Sequence, residues 1–194
     1  TAGAAPSPKA RPTPAAKRNP ILVRERQKVM SARPLAMYYA IDDARSFQSA
    51  ERFADQITLL GPQCYKMDAE GVVTGVVPAA LADLARRKNL PLMPLLTNPG
   101  FDRPTASAML RSPRLQERTA SYLAYLAQRE NFVGWQLDLE YIDPADKAHY
   151  TSFVRRVAAK LHRDGRLLSI AVTPRFSDAY PDTRAREFRT GFLV

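Results

Sequence analysis

Apolar residues in this chain follow two patterns that alternate along its length. Short unbroken apolar runs are separated by stretches in which apolar residues recur every third or fourth position. Leu35-Ala36-Met37-Tyr38-Tyr39-Ala40-Ile41 is a run of the first kind. A strand buried on both faces, as in a parallel sheet, reads this way. Residues 57–60, 90–97 and 167–173 read likewise, although Pro91 and Pro94 remove two ladder donors from the second of these. Helical spacing fills the intervals. Phe47, Ala50, Phe53 and Ala54 predict a helix over 46–55. Pro78 opens a second, with Leu81, Leu84 and Ala85 facing inward. Ser112-Pro113 is a cap-plus-proline start for a third, carrying Leu115, Thr119, Tyr122, Leu123 and Leu126. Asp143-Pro144 starts a fourth in the same way, and Tyr150, Phe153, Val154, Val157 and Leu161 form its stripe before Gly165 ends it. Cys64 to Gly75 reads as a hairpin: Tyr65-Lys66-Met67, a turn over Asp68-Ala69-Glu70-Gly71, then Val72-Val73.

One stretch breaks the apolar rule in an informative way. In Phe132-Val133-Gly134-Trp135-Gln136-Leu137-Asp138-Leu139-Glu140-Tyr141, the leucines alternate with Gln136, Asp138 and Glu140. Strand side chains alternate faces, so these three polar groups share one face, with Asp138 and Glu140 attached ~7 Å apart. Two carboxylates aimed the same way from an apolar strand repel each other and lose hydration unless they have partners or a task. Paired carboxylates, one of which keeps its proton, are the usual equipment for acid/base work on glycosides.

Strand then helix, repeated, means a parallel sheet with right-handed crossovers. Five strands are predicted, whereas a closed barrel needs eight and about 250 residues. The expected fold is therefore α/β, the first five strands of a (β/α)8 TIM barrel, read as the N-terminal part of a longer protein. The rival, a complete open doubly wound sheet, lacks a Gly-rich phosphate turn after its first strand.

Residues 133–140 resemble the signature of glycoside hydrolase family 18, the chitinase-like barrels, in which strand four ends in Asp-Gly-x-Asp-x-Asp-x-Glu. Gly134, Asp138 and Glu140 match it, whereas Val133 and Gln136 replace its first two acids. The likeness extends over roughly residues 35–175 and in style is nearest the bacterial wall-lytic glucosaminidase branch. It implies a retaining, substrate-assisted hydrolysis of glycans that contain N-acetylglucosamine, peptidoglycan or chitin-like. Glu140 would be the general acid and then the base. Asp138 would hold the substrate's 2-acetamido group. Gln136, a candidate for sugar contact, cannot take up charge but can still hydrogen-bond Asp138. Tyr38, Asp42, Tyr65, Asn98 and Arg175, near expected strand ends, are further candidates for sugar contact. The alternative is a non-catalytic, lectin-like barrel. Retention of Glu140 favours the enzyme, and the changes at Val133 and Gln136 favour the binder.

Charge alters this picture less than its size suggests. Of the net +10, residues 1–34 carry +7, from eight cationic side chains against Glu25 alone. The basicity belongs to a Pro/Ala-rich leading segment, read as a disordered linker over 1–33 with the barrel portion over 34–194. Residues 21–33, more apolar, are read as an irregular lead-in or a short helix. Nucleic acid is thus not the expected partner, although electrostatic contact of the tail with an anionic wall or membrane is compatible. The single cysteine, Cys64, excludes an intrachain disulfide, and His149 and His162 stand thirteen residues apart on one predicted helix. Neither a metal site nor a cofactor is expected. No run of about 18 apolar residues is long enough to span a membrane. No secretory signal is visible, so an extracellular or cell-envelope location rests on the resemblance alone.

Overall fold

The computed structural model describes residues 19–32 and 35–172. Six strands, β1 (Met37–Ala40), β2 (Leu59–Met67), β3 (Val73–Gly75), β4 (Leu95–Thr97), β5 (Gly134–Asp138) and β6 (Leu167–Ile170), form one sheet. Its order is β1-β2-β4-β5-β6, with β3 paired to β2 off this path. Every pairing along the path is parallel, and the β2–β3 hairpin is antiparallel. The expected strands are present and adjacent in chain order. One differs in extent: the second strand and the first arm of the hairpin are a single nine-residue strand, bent by a register shift between Gln63 and Tyr65.

Among the described residues, six α-helices accompany the sheet: α1 (Pro20–Ser31), α2 (Ala44–Arg52), α3 (Ala79–Lys88), α4 (Arg103–Leu110), α5 (Pro113–Arg129) and α6 (Lys147–Arg163). Their starts are chemically marked. Asn19, Asp43, Asp102 and Ser112 each accept a hydrogen bond from a backbone N–H in the first turn, which would otherwise lack a partner. The predicted apolar stripe of α6 is buried at all five positions, Tyr150, Phe153, Val154, Val157 and Leu161. It packs with α5 and with Trp135, Leu137 and Leu139 into the largest core cluster. A smaller cluster joins Ala40 and Leu60 to Ala50 of α2 and to Leu81, Leu84 and Ala85 of α3. The helix over 46–55 is shorter than expected: α2 ends at Arg52 and Phe53 is exposed.

The sheet curls, and a side-chain bond across it is consistent with that shape. Gln136 of β5 donates from Nε2 to the Tyr39 hydroxyl of β1 at 3.2 Å. Two strands lie between β1 and β5, so in a flat sheet the pair would be about 14 Å apart. The bond therefore spans the hollow of a sheet curling toward closure, the geometry of a TIM barrel's first strands.

Residues 20–31 depart from the linker expected over 1–33 and take the second of the two forms read for 21–33, a short helix. They form α1, which closes the N-terminal end of the curl. Leu22 and Val29 are buried against Leu59, Met93 and Val133, with Met37 and Leu167 packed alongside. Each of these partners stands at or just before the start of a strand. Arg166, buried at the same end, donates to the Phe132 carbonyl, and Lys28 of α1 donates to the Asn89 carbonyl at 3.1 Å. Residues 1–18 of the expected linker lie outside the described residues.

Candidate active site

The carboxylates stand at the opposite end of the strands from α1. Trp135 and Leu137 point outward into the helix layer, so the alternate positions Gln136 and Asp138 point into the hollow. Trp135 is fully buried, donates from Nε1 to the Leu123 carbonyl at 2.9 Å and meets Tyr65 and Phe132 edge-on. This packing holds the face assignment of β5. Gly134 supplies the close approach that starts the strand. A side chain there would collide with the Leu167 backbone of β6.

Asp138 closes the β4–β5 ladder opposite Thr97 and is half-buried. Burial holds its carboxyl above the ordinary range. Glu140 follows at the rim and is exposed. Its carboxyl is also raised, by partial burial first and then by the negative charge of Asp138. A carboxyl so placed keeps a proton to a higher pH than an isolated one, as a general acid must.

The remaining expected contacts divide sharply. Gln136 is 2% exposed, and its partners are Tyr39 and the Ser169 hydroxyl, which donates to its Oε1. The expected bond to Asp138 is replaced by a neutral belt linking β1, β5 and β6 beneath the carboxylates. Tyr38 faces the helix layer and donates to the Ser46 carbonyl at 3.0 Å. Tyr65 is 3% exposed in the main core, because the irregularity before it turns its side chain outward. Neither tyrosine lies in the hollow. Asp42 is exposed at the end of β1. Its charge adds to the burial that pushes the Cys64 thiol up to about 12. Asn98 is 1% exposed, and its amide is committed to backbone groups at Glu140 and Asp102, not presented to the hollow. Arg175 lies outside the described residues.

Tyr39, Ser169 and Thr97 are the inward polar residues that sequence reasoning missed. Ser169 carried a usable signal, a lone hydroxyl in the apolar run Leu167-Leu168-Ser169-Ile170. Val133, standing where the signature has an acid, is fully buried in the apolar cluster under α1. A carboxylate there would face aliphatic side chains. Among the described residues, no group of three or more His, Cys, Asp or Glu is arranged to hold a metal ion.

Together these features define the first five strands of a TIM barrel with a carboxylate pair at the C-terminal end of its fourth barrel strand. No family model matches the chain. The chain is 21% identical over 145 residues to the uncharacterized glycosylase YvbX of Bacillus subtilis, covering 72% of this chain and 42% of that protein. It is 25% identical over 133 residues to the cortical fragment-lytic enzyme of the same organism, covering 67% of this chain and 31% of that protein. Among solved structures, a class V chitinase from Pseudomonas fluorescens superposes with a TM-score of 0.68 at 24% identity, over 76% of this chain and 47% of the other. The spore cortex-lytic enzyme SleL of Bacillus megaterium gives a TM-score of 0.68 at 20% identity, over 76% and 36%. These likenesses bear out the fold and the resemblance to chitinase-like and wall-lytic glycosidases. The chain spans less than half the length of the curated relatives it matches.

Proposed function

We propose that the protein hydrolyses glycans containing N-acetylglucosamine, peptidoglycan or chitin-like, by a retaining mechanism in which the substrate's own acetamido group is the nucleophile. The observation that carries this reading is the Asp138–Glu140 pair at the C-terminal end of β5, where burial, and for Glu140 also the charge of Asp138, makes both carboxyls hold their protons to higher pH than usual. Glu140, at the rim, protonates the leaving glycosidic oxygen. The acetamido oxygen attacks the anomeric carbon as that bond breaks, forming an oxazolinium ion. Asp138 accepts a hydrogen bond from the acetamido N–H and stabilises the developing positive charge. Glu140, now ionised, takes a proton from the water that opens the ring, which restores its acid form. Gln136 contributes no charge. It fixes the floor beneath Asp138 through Tyr39 and Ser169.

The descriptions of two relatives as a cortical fragment-lytic enzyme and a spore cortex-lytic enzyme support a peptidoglycan-type substrate and an extracellular or envelope location. Residues 1–18 carry Lys9, Arg11, Lys17 and Arg18 with no acid, suited to attraction toward an anionic wall or membrane. The test compares wild type with Asp138→Asn in the full-length protein, on paired substrates with a 2-acetamido or a 2-hydroxyl group. Asp138→Asn should slow the acetamido substrate by about 10²-fold or more and leave the small residual rate on the hydroxyl substrate unchanged. Equal loss on both substrates would refute assistance by the acetamido group. Binding of the oligomer without turnover by wild type would instead favour the lectin-like alternative.

A further inference from the structure

The last backbone pair of the β4–β5 ladder is Thr97 with Asp138. One step further on, where Glu140 leaves the sheet, a side chain takes the place of a strand. The Glu140 N–H donates to Asn98 Oδ1 at 3.0 Å, and Asn98 Nδ2 donates to the Glu140 carbonyl at 3.0 Å. A primary amide carries the same acceptor and donor as a peptide, so it can stand in for the missing rung. Nδ2 also donates to the Asp102 carbonyl at 3.2 Å, anchoring the clamp to the residue that caps α4. With Asn98 1% exposed, the amide end of these part-buried bonds is shielded from competing water.

The clamp holds a segment that would not keep its shape alone. Tyr141, the next residue, has φ 53°, and Phe101, in the loop after Asn98, has φ 54°. Left-handed backbone at a bulky residue persists only where surrounding contacts over-determine it. Arg103 Nε, from the first residue of α4, donates to the Tyr141 carbonyl at 3.3 Å as a second strut. The loops after β4 and β5 thus brace each other around the Glu140 backbone.

We propose that Asn98 is a positioning residue for Glu140, fixing through its backbone clamp where the Glu140 carboxyl sits relative to Asp138 and to a bound glycan. This rests on the proposed role of Glu140, and the experiment separates the two claims. Asn98→Ala removes the clamp. Asn98→Asp keeps the acceptor for the Glu140 N–H, removes both donors, and adds a negative charge beside the Asp138–Glu140 pair. The first readout is independent of activity: amide hydrogen exchange at Glu140 should quicken by about tenfold or more in Asn98→Ala and less in Asn98→Asp. Unchanged exchange in both variants overturns the clamp. The second readout is turnover of an N-acetylglucosamine oligomer by the full-length protein. Asn98→Ala should lower kcat by about 10- to 100-fold with KM within about twofold, since a misplaced reacting group slows chemistry more than it weakens binding. Asn98→Asp should also move the basic limb of the pH–rate profile upward, because the new charge disfavours ionisation of Glu140. That shift reports the proximity of the new charge; the fall in kcat with KM retained is the readout that a merely structural role would not produce. A kcat within twofold of wild type in both variants overturns the proposal and leaves the role of Glu140 standing. If wild type itself has no turnover, the functional reading fails, and amide exchange still decides the clamp. Should Asn98→Ala not fold, Asn98→Asp alone decides both readouts.

Discussion

Removing the Leu22 side chain beyond its Cβ tests whether α1 belongs to the fold or only leads into it. Leu22 is 3% exposed and packs with Val29 on Leu59, Met93 and Val133 at the closed end of the curl. Truncation to alanine deletes the buried branch and leaves a cavity that the strand starts cannot easily fill. Buried leucine-to-alanine changes cost about 2–5 kcal/mol. For a chain of this size each 1 kcal/mol lowers Tm by roughly 2–4 °C, so the expected drop is roughly 4–20 °C. The neighbouring Ile21 is 59% exposed on the same helix and supplies the control. Ile21→Ala alters helix propensity and surface only, and should change stability by less than about 0.5 kcal/mol. Urea unfolding of the three proteins, followed by circular dichroism, gives the difference directly. A linker-like segment would make the two substitutions equivalent. An equal, small effect at Leu22 and Ile21 would therefore refute the packing of α1 on the strand starts and return residues 20–31 to the linker expected from composition.

Two further outcomes follow from the same geometry. Asp138→Asn should raise Tm at neutral pH while impairing turnover. Burial raises the folded-state carboxyl above its ordinary 3.8, so stability held in the protonated form below that value is lost as pH rises through the raised one. Asparagine cannot ionise, so its thermal advantage should shrink toward zero below about pH 3.8, and a pH-independent gain would contradict the burial account. Val133→Asp, which restores the signature's first acid, should destabilise by roughly 4 kcal/mol at pH 7, the cost of keeping a buried carboxyl protonated there. A stability within 1 kcal/mol of wild type would mean that the end sealed by α1 is open to water.

Sequence and structure agree best where the pattern itself carries a direction. Alternation in residues 134–138 fixed which side chains of β5 face the hollow, and Trp135 and Leu137 pack outward as that alternation requires. The 3.6-residue period located α5 and α6 nearly to their ends. Face assignment failed where alternation was absent. The run 35–41 is apolar at every position, so nothing in it distinguishes Tyr38, which packs on α2, from Tyr39, which crosses the hollow. Tyr65 was misplaced for another reason, a register shift that reverses the faces of a strand partway along. Helix α4 escaped notice because eight residues hold barely two turns of periodicity. The Asp102 cap and Pro104 were its available signal. The duty of Asn98 had no local signature at all, since its partner lies 42 residues away.

If Glu140 delivers the proton that breaks a glycosidic bond, turnover depends on its carboxyl while binding does not. Glu140→Gln preserves the shape of the side chain and its hydrogen-bonding reach, but it has no proton to give. The decisive measurement is kcat and binding of one N-acetylglucosamine oligomer by the full-length wild-type protein and by Glu140→Gln. The expected result is a loss of roughly 10²–10⁴-fold in kcat with affinity retained. Turnover by Glu140→Gln equal to that of wild type would contradict it.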